Sequence, residues 1–116
     1  VPDTLFVYGS LRSEFQNQYV DHLRKTGKSL GKATVRGSIF MVGKYPGYQR
    51  EPDGVVQGEL WRLHDAEATL SLLDHYEGAS YVREIATADR GESWIYVFVG
   101  EVDPASRIAS GDFLAR

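Results

Sequence analysis

The run Ser93-Trp94-Ile95-Tyr96-Val97-Phe98-Val99-Gly100 is apolar on both of its faces, and this restricts the fold more than any other stretch of the chain. Successive side chains of a strand point to opposite faces, so a strand that offers neither face to water must be covered on both. In a chain of 116 residues that requirement suits a central strand of a closed or strongly curled sheet. Other strand-like runs surround it. Thr4 to Tyr8 is short, apolar and stops at Gly9-Ser10, as a buried first strand followed by a turn would. Ala33 to Val42 is rich in β-branched and aromatic residues and predicts a second strand, after which Gly43-Lys44-Tyr45-Pro46-Gly47 is dense in turn formers. Asp53-Gly54 marks a turn before a strand over Val55 to Leu63, and Asp89-Arg90-Gly91-Glu92 predicts a hairpin between Tyr81 to Ala88 and Ser93 to Gly100.

Two helices are expected among these strands. Phe15, Tyr19, Val20 and Leu23 form an amphipathic stripe that Gly27 is placed to end. Asp65 stands where an N-cap is wanted, Glu67 suits the first turn, and Gly78 closes a helix at about Glu77. The expectation is a single α+β domain over residues 1–116, a small mixed β-barrel with flanking helices. The tail carries two apolar anchors, Ile108 and Phe113, and is expected to dock.

The chain has no Cys, which removes thiol nucleophiles, thiolate metal sites and disulfides together. His22, His64 and His75 have no carboxylate partners at ligand spacing, so no metal site is expected. The net charge of −3, with no face gathering Lys and Arg among aromatics, argues against a nucleic-acid track; Arg24, Lys25, Lys28 and Lys32 read as a solvated helix end. No apolar run approaches the ~20 residues of a membrane span, and strand-like sequence begins at once where a signal peptide would lie, so a cytoplasmic location is expected. Ser10 has no G-x-S-x-G elbow around it, and neither a Walker loop nor a G-x-G-x-x-G fingerprint is present. Oligomeric state leaves no mark in the sequence.

Leu70, Leu73 and Glu77 recur at i, i+3, i+7 and so share the helix face that must pack inward. A carboxyl in an apolar setting is disfavoured as the anion, so its pKa climbs from roughly 4.3 toward neutrality, where it both takes and gives a proton. Glu77 is therefore a candidate general base. Spacing alone leaves two alternatives open, a side chain that frays out at the helix end or a structural ion pair with Arg83. A second candidate is the turn after the first strand, where Gly9 allows close backbone approach and the N–H groups of Ser10, Leu11 and Arg12 would meet an anion if the chain curls. A plain strand-ending turn is the alternative there.

Phe6-Val7-Tyr8-Gly9-Ser10-Leu11-Arg12, the Gly43 to Gly47 turn, Val56-Gln57-Gly58-Glu59-Leu60-Trp61, Leu73-Asp74-His75-Tyr76-Glu77-Gly78 followed by Tyr81-Val82-Arg83, and the aromatic strand at Trp94 together resemble the γ-glutamylcyclotransferase-like (AIG2-like) proteins. The resemblance keeps its order over nearly the whole chain. It implies a compact mixed barrel with helices outside, a substrate-binding loop at Tyr8, Gly9, Ser10 and Leu11, and a catalytic Glu at Glu77. The implied reaction cyclises a γ-glutamyl group to 5-oxoproline and expels an amine or amino acid, with no cofactor and a small γ-glutamyl molecule as the partner. Tyr8 and Tyr81 would line the pocket or orient Glu77 through a hydroxyl, packed barrel aromatics being the alternative, and Arg83 would either steady an anion or make a structural ion pair. Tyr45 and Pro46 would shape a rim. The competing function is a non-catalytic module on the same fold that binds a carboxylate-bearing small molecule.

Overall fold

The computed structural model describes residues 2–116. Within them the order is β1 (Thr4–Val7), α1 (Gln18–Thr26), β2 (Gly27–Arg36), β3 (Ser38–Val42), β4 (Tyr45–Gln49), β5 (Val55–Leu63), α2 (Ala66–Glu77), β6 (Tyr81–Ala88) and β7 (Gly91–Phe98), with short 3₁₀ turns at Pro104–Ser106 and Phe113–Ala115. Pairing runs β1-β5-β2-β6-β7, and a parallel bridge between Leu5 and Trp94 returns β7 to β1, so these strands close into a ring. The β3-β4 hairpin joins β7 through a parallel bridge at Tyr48 and Val97. β7 thus meets β6, β1 and β4 along its edges, while its faces are covered separately, Ile95 and Val97 by the ring core and Trp94 and Tyr96 by the core beneath the helices.

The pleat sorts side chains between two cores. Phe6 and Tyr8 of the first strand and its continuation turn into the ring with Val35, Val56, Leu60 and Ile95, while Leu5 and Val7 turn outward to meet the helices. Val20 and Leu23 of α1 and Leu70 and Leu73 of α2 cover that outer face together with Trp61 and Tyr96. Ile108 and Phe113 of the tail are buried in the ring core, as their apolar character requires.

Four local expectations change. The predicted second strand is two, β2 and β3, broken at Gly37, whose φ of 141° is a conformation other residues avoid. A Cβ at Gly37 would also run into the Tyr48 ring and lie 2.8 Å from the Gln49 carbonyl oxygen. β2 begins already at Gly27, so Lys28 and Lys32 belong to a strand and only Arg24 and Lys25 stand at the helix end. Phe15 lies outside α1, because Asn17 starts the helix by accepting from the Tyr19 and Val20 N–H groups at 3.0 and 2.9 Å; Phe15 instead stacks on Phe113. Finally, Tyr45 to Gly47 is strand, the Val42↔Tyr45 pairing confining the turn to Gly43 and Lys44.

Candidate functional site

Where α2 ends beside β1, a cavity of about 220 Å³ opens between the ring and the helices. Its walls include Tyr8, Gly9, Ser10, Leu11, Tyr81 and Glu77, so the candidate residues from separate parts of the sequence meet at one place. The volume is below the ~300–1,000 Å³ of drug-sized sites and suits an amino-acid-sized group. Tyr45, Pro46, Tyr76 and Tyr96 also line it, with Phe6 and Val7 of β1 behind them.

Gly9 begins a tight turn in which the Arg12 N–H bonds back to the Gly9 carbonyl at 3.1 Å. Arg12 is therefore not among the free donors of this turn. The neighbouring carbonyls are also held from within the protein: Asn17 Nδ2 donates to Ser10 O at 2.9 Å and Trp61 Nε1 to Leu11 O at 3.3 Å. The Ser13 N–H is taken by the buried Glu59 at 2.6 Å. Acceptors thus point into the protein, whereas the Ser10 and Leu11 N–H groups have no acceptor among the described residues. Gly9 itself is demanded by close approach, since a Cβ there would lie 2.9 Å from Pro46 Cγ. The Arg12 side chain, 5% exposed, braces the turn against Glu14 at 3.1 Å and against Asp112 of the tail at 2.8 Å.

Glu77 closes α2 on the face of the buried Leu70 and Leu73, and no side chain or backbone group among the described residues donates a hydrogen bond to its carboxyl. Burial, reinforced by the charge of Asp74, pushes its pKa up to about 7. The ion pair with Arg83 does not form: Arg83 goes to Asp74, at 2.9 Å from Nε to Oδ1. The Tyr8 and Tyr81 hydroxyls are likewise engaged elsewhere. Tyr8 donates to the Tyr96 carbonyl at 2.7 Å and accepts from the Tyr48 N–H at 3.1 Å; Tyr81 donates to the Pro46 carbonyl at 3.0 Å. Tyr76 shares a 3.3 Å contact with Ser10 Oγ and packs its ring 3.8 Å from that of Tyr19. Burial holds the Tyr8 and Tyr76 phenols above their usual value and pushes Tyr81 up to about 12, so these walls stay neutral. The cavity combines one carboxyl poised near neutrality, a pair of unclaimed backbone donors and a neutral aromatic lining.

Tyr76, Asp74 and Tyr96 escaped the sequence reading of the site. The first two lie inside the L-D-x-x-E-G stretch, and Tyr96 is one of several aromatics in an apolar strand, where nothing distinguishes a wall residue from packing. Among the described residues no group of His, Asp and Glu side chains is arranged to hold a metal ion, and no helix is long and apolar enough to cross a membrane.

Comparison with known proteins places these features in a wider setting. Residues 5–115 match the family model described as gamma-glutamyl cyclotransferase, AIG2-like. A gamma-glutamylcyclotransferase family protein of Escherichia coli K12, YtfP, is 35% identical over 115 residues, covering 97% of this chain and 96% of its own. The solution structure of YtfP from Escherichia coli superposes with a TM-score of 0.75 at 34% identity, covering 97% of both chains. An uncharacterized protein of Pyrococcus horikoshii shares the fold with a TM-score of 0.76 at 21% identity, over 95% of this chain and 88% of that one.

Proposed function

Because the chain belongs to the γ-glutamylcyclotransferase, AIG2-like family, we propose that it cyclises a γ-glutamyl group to 5-oxoproline with release of an amine or amino acid, Glu77 serving as the acid and base. The observation that carries this reading is the Glu77 carboxyl, half-buried beside the Ser10-Leu11 turn, without a donor among the described residues and with its pKa at about 7. An α-ammonium is no nucleophile until it loses a proton, and a carboxylate of that basicity is matched to take it near neutral pH. The freed amine attacks the γ-carbonyl carbon of its own molecule. As the tetrahedral centre collapses, Glu77 gives its proton to the departing nitrogen and the bond to that nitrogen breaks; the carboxylate so regenerated takes the second proton from the ring nitrogen, leaving the lactam N–H. No water is consumed and no bond to the protein forms.

Nucleophile and electrophile belong to one molecule, so most of what the protein must supply is conformation. The Ser10 and Leu11 N–H groups are the proposed clamp for the substrate α-carboxylate, and the small cavity favours a folded γ-glutamyl chain over an extended one. Tyr8 and Tyr81 bound the pocket with their rings, their hydroxyls being committed to the backbone.

The test is a panel of γ-glutamyl amines and γ-glutamyl amino acids assayed for 5-oxoproline. Glu77→Gln keeps the shape and removes the base, and is expected to lower turnover by about 10² or more while ligand binding persists. Ser10→Ala is expected to be mild, since the clamp there is backbone. Binding without 5-oxoproline across the panel would overturn the enzyme reading in favour of a binding module.

A further inference from the structure

Asp74 lies one helical turn before Glu77 and gathers two partners on one oxygen. Its Oδ1 accepts the Tyr96 hydroxyl at 2.7 Å and Arg83 Nε at 2.9 Å, while Oδ2 accepts Arg83 Nη2 at 3.1 Å. Arg83 is itself held, its guanidinium lying 4.3 Å over the centre of the Trp94 ring, and the Trp94 indole N–H is tied to the Pro2 carbonyl at 3.0 Å. The contacts therefore run from Trp94 through Arg83 and Asp74 to Tyr96, which together with Glu77 lines the cavity. Planar guanidinium against carboxylate fixes the direction of Asp74 as well as its charge. A phenol has a single hydrogen and two lone-pair positions. Tyr96 and Glu77 line the same cavity, and the one hydroxyl hydrogen of Tyr96 is given to Asp74.

We propose that Asp74 is a positioning residue: by taking the only hydroxyl hydrogen of Tyr96 it keeps that donor away from Glu77 and leaves the Tyr96 oxygen as a second acceptor for a substrate ammonium. The ammonium rests on the cyclotransferase reading; the choice of acceptor by Tyr96 does not. A carboxylate that receives a phenol hydrogen is stabilised as the anion and becomes a weaker base. With the hydrogen committed elsewhere, Glu77 keeps its lone pairs for substrate. The same arrangement sets Asp74, held as an anion, behind Glu77: burial acts to raise Asp74, but hydrogen bonds from Arg83 and Tyr96 outweigh it and lower its pKa. The titratable groups that face Glu77 are Asp74 and Tyr76 on α2, Tyr8 after β1, Tyr81 on β6 and Tyr96 on β7, with Tyr45 of β4 facing Tyr76. Of these, Asp74 is the one that carries charge at neutral pH.

Titration of Glu77 in the free protein tests the relay without any substrate. With glutamate side-chain carboxyls isotopically labelled and Glu77 assigned from its loss in Glu77→Gln, Asp74→Asn is expected to lower the Glu77 midpoint by roughly one pH unit or more. Two causes contribute, the lost charge and the hydrogen that Tyr96 redirects. Tyr96→Phe alone is expected to move the midpoint little, and Asp74→Asn combined with Tyr96→Phe is expected to recover part of the shift. An unchanged Glu77 midpoint in folded Asp74→Asn overturns the proposal. Wild type provides a check that needs no substitution: the Tyr96 Cζ resonance should take its larger step where Asp74 titrates in acid, and a larger step at the Glu77 midpoint overturns the proposal equally. If a substrate is found, the acid limb of kcat/KM should follow the Glu77 midpoint in each variant. Absence of turnover would fail the cyclotransferase reading and leave the direction of the Tyr96 hydrogen bond decided by the titrations.

Discussion

Glu59 on β5 and Glu77 at the end of α2 both withdraw a carboxyl from water next to the turn that follows β1, and the fold equips them in opposite ways. Glu59, 6% exposed, accepts the Ser13 N–H at 2.6 Å and the Ser29 hydroxyl at 2.5 Å. Glu77 has no donor among the described residues, and burial beside Asp74 lifts its pKa to about 7. One carboxylate is spent on architecture, tying the turn and β2 to β5; the other is left with its chemistry available. A buried polar group is either satisfied or costly, and the cost is accepted where a reactive group is needed. Depth alone therefore does not separate the two acids; the missing partner does.

Removing the satisfied glutamate should do the most damage. Glu59→Ala strands the Ser13 N–H and the Ser29 hydroxyl inside the protein, and with two hydrogen bonds to a charged group lost, stability is expected to fall by about 3–5 kcal/mol. Chemical denaturation with an unchanged slope measures it. A loss below about 1 kcal/mol would mean that Glu59 is not the tie described, and the contrast with Glu77 would fail.

Replacing the unsatisfied glutamate should act in the other direction and only above a certain pH. The folded-state pKa of Glu77 is raised from 4.5 to about 7, so folding holds a proton that the unfolded chain releases, and wild type loses stability as pH rises through that window. The penalty is complete above it, at up to about 3 kcal/mol, and absent in more acid solution. Glu77→Gln does not ionise. It is expected to be more stable than wild type near pH 8 by up to that amount and equal to it near pH 4. Equal stability at both pH values would show that Glu77 is not desolvated.

The Glu77 side of this contrast was legible in the sequence, and the limits of that legibility have physical reasons. The phase of Leu70, Leu73 and Glu77 located the carboxyl on the packed face, because helical spacing fixes which side chains share a face. The two apolar faces of Ser93 to Gly100 announced a strand with neighbours all round, and Asp65 and Gly78 bounded α2 where the helix does begin and end. Partnership was not legible. Whether Arg83 would reach Glu77 or Asp74 depends on which turn of α2 lies against β6, a matter of a few ångströms between elements that no local spacing encodes. Glu59 sat unremarked within a strand because its partners, Ser13 and Ser29, come from a turn and from another strand. Gly37 was hidden for a related reason: an isolated glycine in a β-rich run weakens a strand only slightly, and the need for it arises from Tyr48, which packs against it from β4.

The smallest predicted effect belongs to Tyr81, and it isolates the wall of the cavity from the carboxyl within it. Its hydroxyl gives its hydrogen to the Pro46 carbonyl at 3.0 Å, bridging β6 to the β3-β4 hairpin, while its ring packs edge-on against Phe98 at 5.4 Å between centres. Tyr81→Phe keeps the ring and that aromatic contact and loses one neutral hydrogen bond at a buried carbonyl, a cost of about 1 kcal/mol. Because this hydrogen is not directed at Glu77, the Glu77 titration is expected to stay in place and thermal unfolding to occur only slightly earlier. The direction of any displacement of the Glu77 midpoint would tell its cause: a rise follows from deeper burial as the hairpin resettles, whereas a drop would require a new donor to have reached the carboxyl. A drop by a full pH unit would show that Glu77 owes its missing partner to Tyr81 as well, and would extend the difference between the two glutamates to the rim of the site.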